Sequence, residues 1–128
     1  MRTTIEEKII ATLCSGSGKG VKNLSRHDRV VVYGNIKNYY LWGSLLFWND
    51  VENVYYFSAR GHNLPITQSR LNAILLTFFG ASIVQKDCKW ILSWNDKNYP
   101  INETNIFSIK NNKLYCFGSH EEEEVKPL

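Results

Sequence analysis

A chain of 128 residues, 44% hydrophobic, 21% charged and 13% aromatic, fits one globular domain that can bury a core without metals or cross-links. Its three cysteines, Cys14, Cys88 and Cys116, form no close pair, which argues against a disulfide framework and for reduced, mostly buried thiols in a cytoplasm. The net charge of +3 is unevenly spread: before residue 121 there are 14 Lys and Arg against 8 Asp and Glu, whereas Glu121 to Glu124 are all acidic, a balance that suits an anionic partner.

The opening stretch MRTTIEEKII has two glutamates and no long apolar run, so it does not read as a secretory signal. Its spacing predicts a short helix over about 5–14. Thr4 and Glu7 have the spacing of a capping box, and Ile5, Ile9, Ile10 and Leu13 share one face.

The following CSGSGKG resembles a phosphate loop only superficially. A G-x-x-x-x-G-K-[ST] motif ending at Gly18-Lys19 needs a glycine at position 13 and a hydroxyl at position 20. Those positions hold Leu13 and Gly20. The loop should also leave a strand and open a helix, and here a helix precedes it. It reads instead as a flexible connector carrying the cations Lys19, Lys22, Arg26 and Arg29.

β-Branched and aromatic residues then predict three antiparallel strands over about 29–36, 39–48 and 53–59, the last two joined through 49–52. Thr67 caps an expected amphipathic helix over about 67–79, with Leu71, Ile74, Leu75, Phe78 and Phe79 on its apolar face and Gly80 as its stop. Two hairpins follow, one turning at Asp87-Cys88 and one at Asn111-Asn112. In the first, Trp90, Leu92 and Trp94 alternate onto one strand face. The expected fold is α+β: one domain over 1–118, a mainly antiparallel sheet of about five to seven strands packed by the 67–79 helix and closed by the first. Residues 119–128 are expected to be a disordered acidic tail.

Chemistry is harder to read. His27, His62 and His120 stand in no spacing that pairs them with a cysteine nucleophile or builds a zinc site, and no cofactor or metal is implied. A phosphodiester-cleaving enzyme using His27 or His62 as general base, with nearby arginines for phosphate charge, is one alternative. Nucleic-acid binding is another. Arg60, Arg70, Lys86 and Lys89 cluster around the 67–79 helix in sequence, and Tyr39, Tyr40 and Trp42, with Tyr55 and Tyr56, exceed what one sheet face buries. Exposed rings stack on bases while cations meet phosphate. Tyr, Trp and Arg equally dominate protein interfaces.

The stretch LPITQSRLNAILLTFFGASIVQKDCKWIL, with the earlier Tyr33-Gly34-Asn35-Ile36, resembles a group of small phage-encoded proteins of unknown function. The matching stretches cover residues 29–36 and 64–92. The resemblance implies an accessory protein in the host cytoplasm, one that engages a host protein or a protein–nucleic-acid complex and inhibits host defence. It supplies no catalytic residues. The reading is therefore a non-enzymatic binding module, membrane-independent, with Arg60, His62, Arg70, Asn72, Lys86 and Lys89 as binding candidates. Arg70 and Asn72 flank Leu71 and are expected on the wetter sides of the helix.

Overall fold

The structure, a computed structural model, describes residues 3–118 and 121–128. Two helices and eleven strands form an α+β fold. The elements are α1 (Thr4–Leu13), β1 (Gly18–Asn23), β2 (Asp28–Gly34), β3 (Ile36–Leu41), β4 (Ser44–Asn49), β5 (Tyr55–Phe57), α2 (Pro65–Phe79), β6 (Ser82–Lys86), β7 (Lys89–Trp94), β8 (Lys97–Pro100), β9 (Ile106–Lys110), β10 (Lys113–Phe117) and β11 (Glu122–Glu124). Eight strands make one antiparallel sheet in the order β1-β2-β3-β4-β5-β9-β10-β11, and β6-β7-β8 make a second. The strand total exceeds the expected five to seven because a turn divides the expected 39–48 strand and because residues of the expected connector and tail, and the stretch after Trp94, also pair as strands.

The turns between strands have a common cause. Short hairpins favour backbone geometries with positive φ, which match the strands' right-handed twist. Gly34, at φ 64°, and Asn35 turn β2 into β3, so the Tyr-Gly-Asn-Ile segment holds a hairpin tip rather than one strand. Trp42 and Gly43, at φ 50° and 78°, split the expected 39–48 strand into β3 and β4. Asp87-Cys88 and Asn111-Asn112 form the two expected turns, and Asn95-Asp96 forms a third of the same kind that yields β8.

The helix ends differ from expectation by one or two residues. Thr3, not Thr4, caps α1: its hydroxyl accepts from the Glu6 N–H and the Glu6 carboxylate accepts from its own N–H. Helix α2 begins at Pro65, whose fixed φ suits a first helical position. Thr67 therefore lies inside the first turn, buried, and is not the cap. Gly80 ends α2 at φ 68°; its own N–H closes back on the Leu76 carbonyl and that of Ala81 on the Leu75 carbonyl. This is the left-handed stop that glycine accepts most readily.

A single core lies on the inner face of the large sheet. Ile9 and Leu13 of α1, Leu71, Ile74 and Leu75 of α2, and Tyr39, Leu41, Phe47, Phe57 and Phe107 of the sheet all belong to it. Trp90, Leu92 and Trp94 of β7 enter it from the small sheet. No helix among the described residues is long and apolar enough to cross a membrane.

Two chain segments depart from the expectation of mobility. The glycine connector is β1, an exposed edge strand paired along its length with β2. Within the expected disordered tail, Glu122–Glu124 pair with β10 as β11. Residues 119 and 120 of that tail, His120 included, lie outside the described residues.

Candidate binding face on the eight-stranded sheet

Strand geometry sends alternate residues to opposite faces. Val30 and Val32 of β2 go inward, so Arg29, Val31 and Tyr33 go outward. The pairing registers carry this outward set across the whole sheet. Val21, Val31, Asn38, Trp48, Tyr56, Ser108, Tyr115 and Glu124 are successive cross-strand partners, one from each of the eight strands. The helices pack on the opposite face, which leaves this row open.

Aromatic rings dominate its middle. Trp48 and Tyr56 stack at 5.6 Å between centroids with planes 11° apart, and Tyr56 meets Phe117 at 5.8 Å. Three cations lie over rings of this face: Arg60 over Trp48 at 5.0 Å, Arg29 over Tyr40 at 4.9 Å and Lys110 over Tyr115 at 4.8 Å. Arg60 is fixed there because its Nε donates to the Leu45 carbonyl at 2.9 Å. Tyr56 donates its hydroxyl to Asp50, and burial together with that bond raises its pKa. It is thus a neutral ring at neutral pH. Ser108 lies between Tyr56 and Tyr115, covered by its larger neighbours, and its hydroxyl has no partner among the described residues.

Behind the face a buried charge cluster holds α1, β2 and α2 together. Arg70 of α2 donates through Nε to Asp28 and through Nη1 to Glu6, both at 2.9 Å. Ser69 adds a bond to Glu6 at 2.6 Å, Ser25 one to Asp28 at 2.6 Å, and the Tyr39 hydroxyl donates to Asp28. Burial alone would raise both carboxyls. For Glu6 the bonds from Ser69, Thr3 and Arg70 outweigh it, and for Asp28 those from Arg70, Ser25 and Tyr39 do, so both lie below the ordinary range. Burial and its bond to Asp28 push the Tyr39 phenol well up. Every charge in the cluster is hydrogen-bonded, as burial requires.

Several sequence candidates therefore change role. Arg70 is buried at 9% exposure and braces the core; it is not on a wet side of the helix. Asn72 is half-buried, and its amide accepts from the Ile83 N–H and donates to the Ile83 carbonyl, as a neighbouring strand would. It closes the free edge of β6. Tyr39 is fully buried, so it is no surface ring. Tyr55 points inward against Phe47 and Phe78. Cys14 is exposed at the end of α1, contrary to the expected buried thiol, while Cys88 is exposed in its turn and Cys116 half-buried.

Arg29, Tyr40 and Arg60 do come together on the open face. Trp42 is exposed in the β3–β4 turn and meets the His27 ring edge-on at 5.4 Å. Lys19 is level with Tyr33 on β1, whereas Lys22 alternates to the α1 side. Arg26 lies in the β1–β2 turn, and Lys86 and Lys89 pair across the β6–β7 hairpin on the other sheet. His62 Nε2 is 3.1 Å from the Ser44 hydroxyl. Trp48, Lys110 and Tyr115, central to the face, were not singled out from sequence. The outward alternation of residues 106–117 is the signal that could have found Lys110 and Tyr115.

Recesses lie elsewhere on the molecule. A groove of about 930 Å³ runs beside α2, lined by Asn63, Leu64, Gln68, Asn72, Leu76 and Gln85. Most of its amides already bond within the fold, Asn63 to Gln85 and Trp90, and Gln68 to Ile83. A second, of about 540 Å³, contains Lys37. Its ammonium donates to the Leu13 and Ser15 carbonyls at the end of α1, which accounts for it as a helix C-terminal cation. Among the described residues no three His, Cys, Asp or Glu side chains are grouped to hold a metal.

This chain matches no protein-family model, no curated protein and no solved structure.

Proposed function

We propose that this protein is a non-enzymatic binding module whose open sheet face takes single-stranded nucleic acid, free or within a protein–nucleic-acid complex. The observation that carries the reading is the outward row on which Arg60, Trp48 and Tyr56 stack in succession, with Lys110 over Tyr115 further along. Unpaired bases stack on aromatic rings and guanidinium planes, and nearby cations meet phosphate. A duplex hides its base faces, so single strands are the better fit. The resemblance to small phage-encoded proteins supports a host nucleic acid, or its protein complex, as the target, and supports interference with host defence as the outcome.

Fluorescence anisotropy with labelled single-stranded and duplex RNA and DNA tests this. The expected result is preference for single strands and affinity that falls with salt, with a log–log slope of roughly −1.4 if Arg29 and Arg60 each neutralise one phosphate. Absence of binding at low salt overturns the reading. So does binding that a Trp48→Ala/Tyr115→Ala variant leaves unchanged. The Ser44–His62 contact keeps a second reading, a phosphodiester-cleaving enzyme, in the same assay. Cleavage of the labelled strand with magnesium, abolished by His62→Ala, would replace the first reading.

A further inference from the structure

At its β10 end the open face meets the chain's own acid. Glu122 and Glu124 of β11 are in register with Phe117 and Tyr115 of β10, so their side chains join the outward set. Glu122 lies 2.7 Å from the Lys110 ammonium, and Glu124 lies 4.0 Å from that of Lys113. The bond to Glu122 raises the Lys110 pKa, so this lysine is cationic at any physiological pH. Lys110 is also the cation over the Tyr115 ring.

We propose that Lys110 and Lys113, beside Tyr115, form a phosphate subsite, and that the β11 carboxylates occupy it until a single strand displaces them. The inference rests on the reading of the face given above. Three features make the occupant displaceable. Strand β11 is only three residues long and pairs on one side. Both ion pairs are partly exposed, Lys113–Glu124 more so than Lys110–Glu122, and pairs near a surface contribute little net stability. The carboxylates also carry the charge that the two lysines would otherwise take from phosphate. The incoming strand exchanges one set of anions for another, so the acidic segment weakens binding without blocking the rings.

The test compares three full-length proteins by anisotropy on one labelled single strand: the unaltered chain, Glu122→Gln/Glu124→Gln, and Glu121→Gln/Glu123→Gln. The two variants have the same net charge, and neither side chain changes shape. The expected result is about a five-fold or greater gain for the 122/124 variant at low salt, with a log–log slope steeper by about 1.4 for two further phosphates. The 121/123 variant should gain much less. Lys110→Ala should cost more affinity in the 122/124 background than in the unaltered chain. Equal gains in the two variants, or none in either, overturn the subsite while leaving the face intact. Failure of all three proteins to bind any single strand overturns both.

Discussion

Arg70 and Asp28 stand 42 positions apart in the chain, yet the guanidinium of one meets the carboxylate of the other at 2.9 Å through Nε and 3.4 Å through Nη2. The remaining nitrogen, Nη1, reaches Glu6. One side chain thus ties α2 to the start of β2 and to α1, on the inner side of the sheet whose outer side is the binding face. Replacing Arg70 by Ala leaves two buried carboxylates without their cation. Breaking such a pair costs about 3–5 kcal/mol. Urea unfolding should show a loss of that order, and a loss below about 1 kcal/mol would mean the cluster is not as buried as the geometry says.

The same cluster sets the response to acid. Glu6 and Asp28 both have carboxyls depressed below their ordinary values of 4.5 and 3.8. A depressed folded-state pKa contributes stability that is complete above the unfolded value and is lost as pH falls through the folded one. Unfolding midpoints should therefore hold near neutrality and decline below about pH 4, where the unfolded chain takes up protons first. Glu6→Gln should flatten part of that decline. A midpoint that rises on acidification would contradict the sign.

On the outer face, Arg60 lies over the Trp48 ring and Tyr56 stacks against it. Base–aromatic stacking is worth about 1–3 kcal/mol per base when probed by alanine. Trp48→Ala should weaken single-strand binding by roughly ten-fold or more, and Arg60→Ala should weaken it and flatten the salt slope. Circular dichroism should report an intact fold, because the ring projects away from the core. Equal weakening for duplex and single strand would point to charge alone.

Asn72 gives the opposite expectation. Its amide closes the edge of β6 by bonding both backbone groups of Ile83. Asn72→Ala leaves the Ile83 N–H without its partner, while the carbonyl keeps its bond from Gln68, a loss of about 1–3 kcal/mol where water cannot replace it. Amide exchange at Ile83 should accelerate, and affinity for nucleic acid should stay the same. Lost affinity in a folded variant would return Asn72 to the binding surface.

Cys88 adopts φ 63° in the β6–β7 turn. A left-handed backbone costs most non-glycine residues about 1–2 kcal/mol. Cys88→Gly should raise the thermal midpoint and remove one exposed thiol, as a thiol titration would confirm. An unchanged or lowered midpoint would mean that the flexibility glycine adds to the unfolded chain cancels the relief.

Local chemistry was legible without coordinates. The α2 apolar face, its glycine stop, the Asp87-Cys88 and Asn111-Asn112 turns, and the shared face of Trp90, Leu92 and Trp94 all follow from spacing and backbone preference within a few residues. Those are short-range steric effects, and neighbours in sequence suffice to express them. The failures lie where a short-range signal had two solutions. A glycine-rich basic stretch reads as a connector until β2 offers its edge, and residues 39–48 read as one strand until Trp42 and Gly43 turn it.

What sequence alone decided was the class of the fold and the positions of most turns, because side-chain alternation and positive-φ residues act locally. What only tertiary structure decided was which cations and rings are free to act. Arg70 looks like Arg60 in sequence, but Glu6 and Asp28 bury the first, while a half-exposed tryptophan holds the second on the surface. Those partners come from distant strands and helices, and burial and charge pairing depend on what folding brings near, not on what lies beside a residue in the chain.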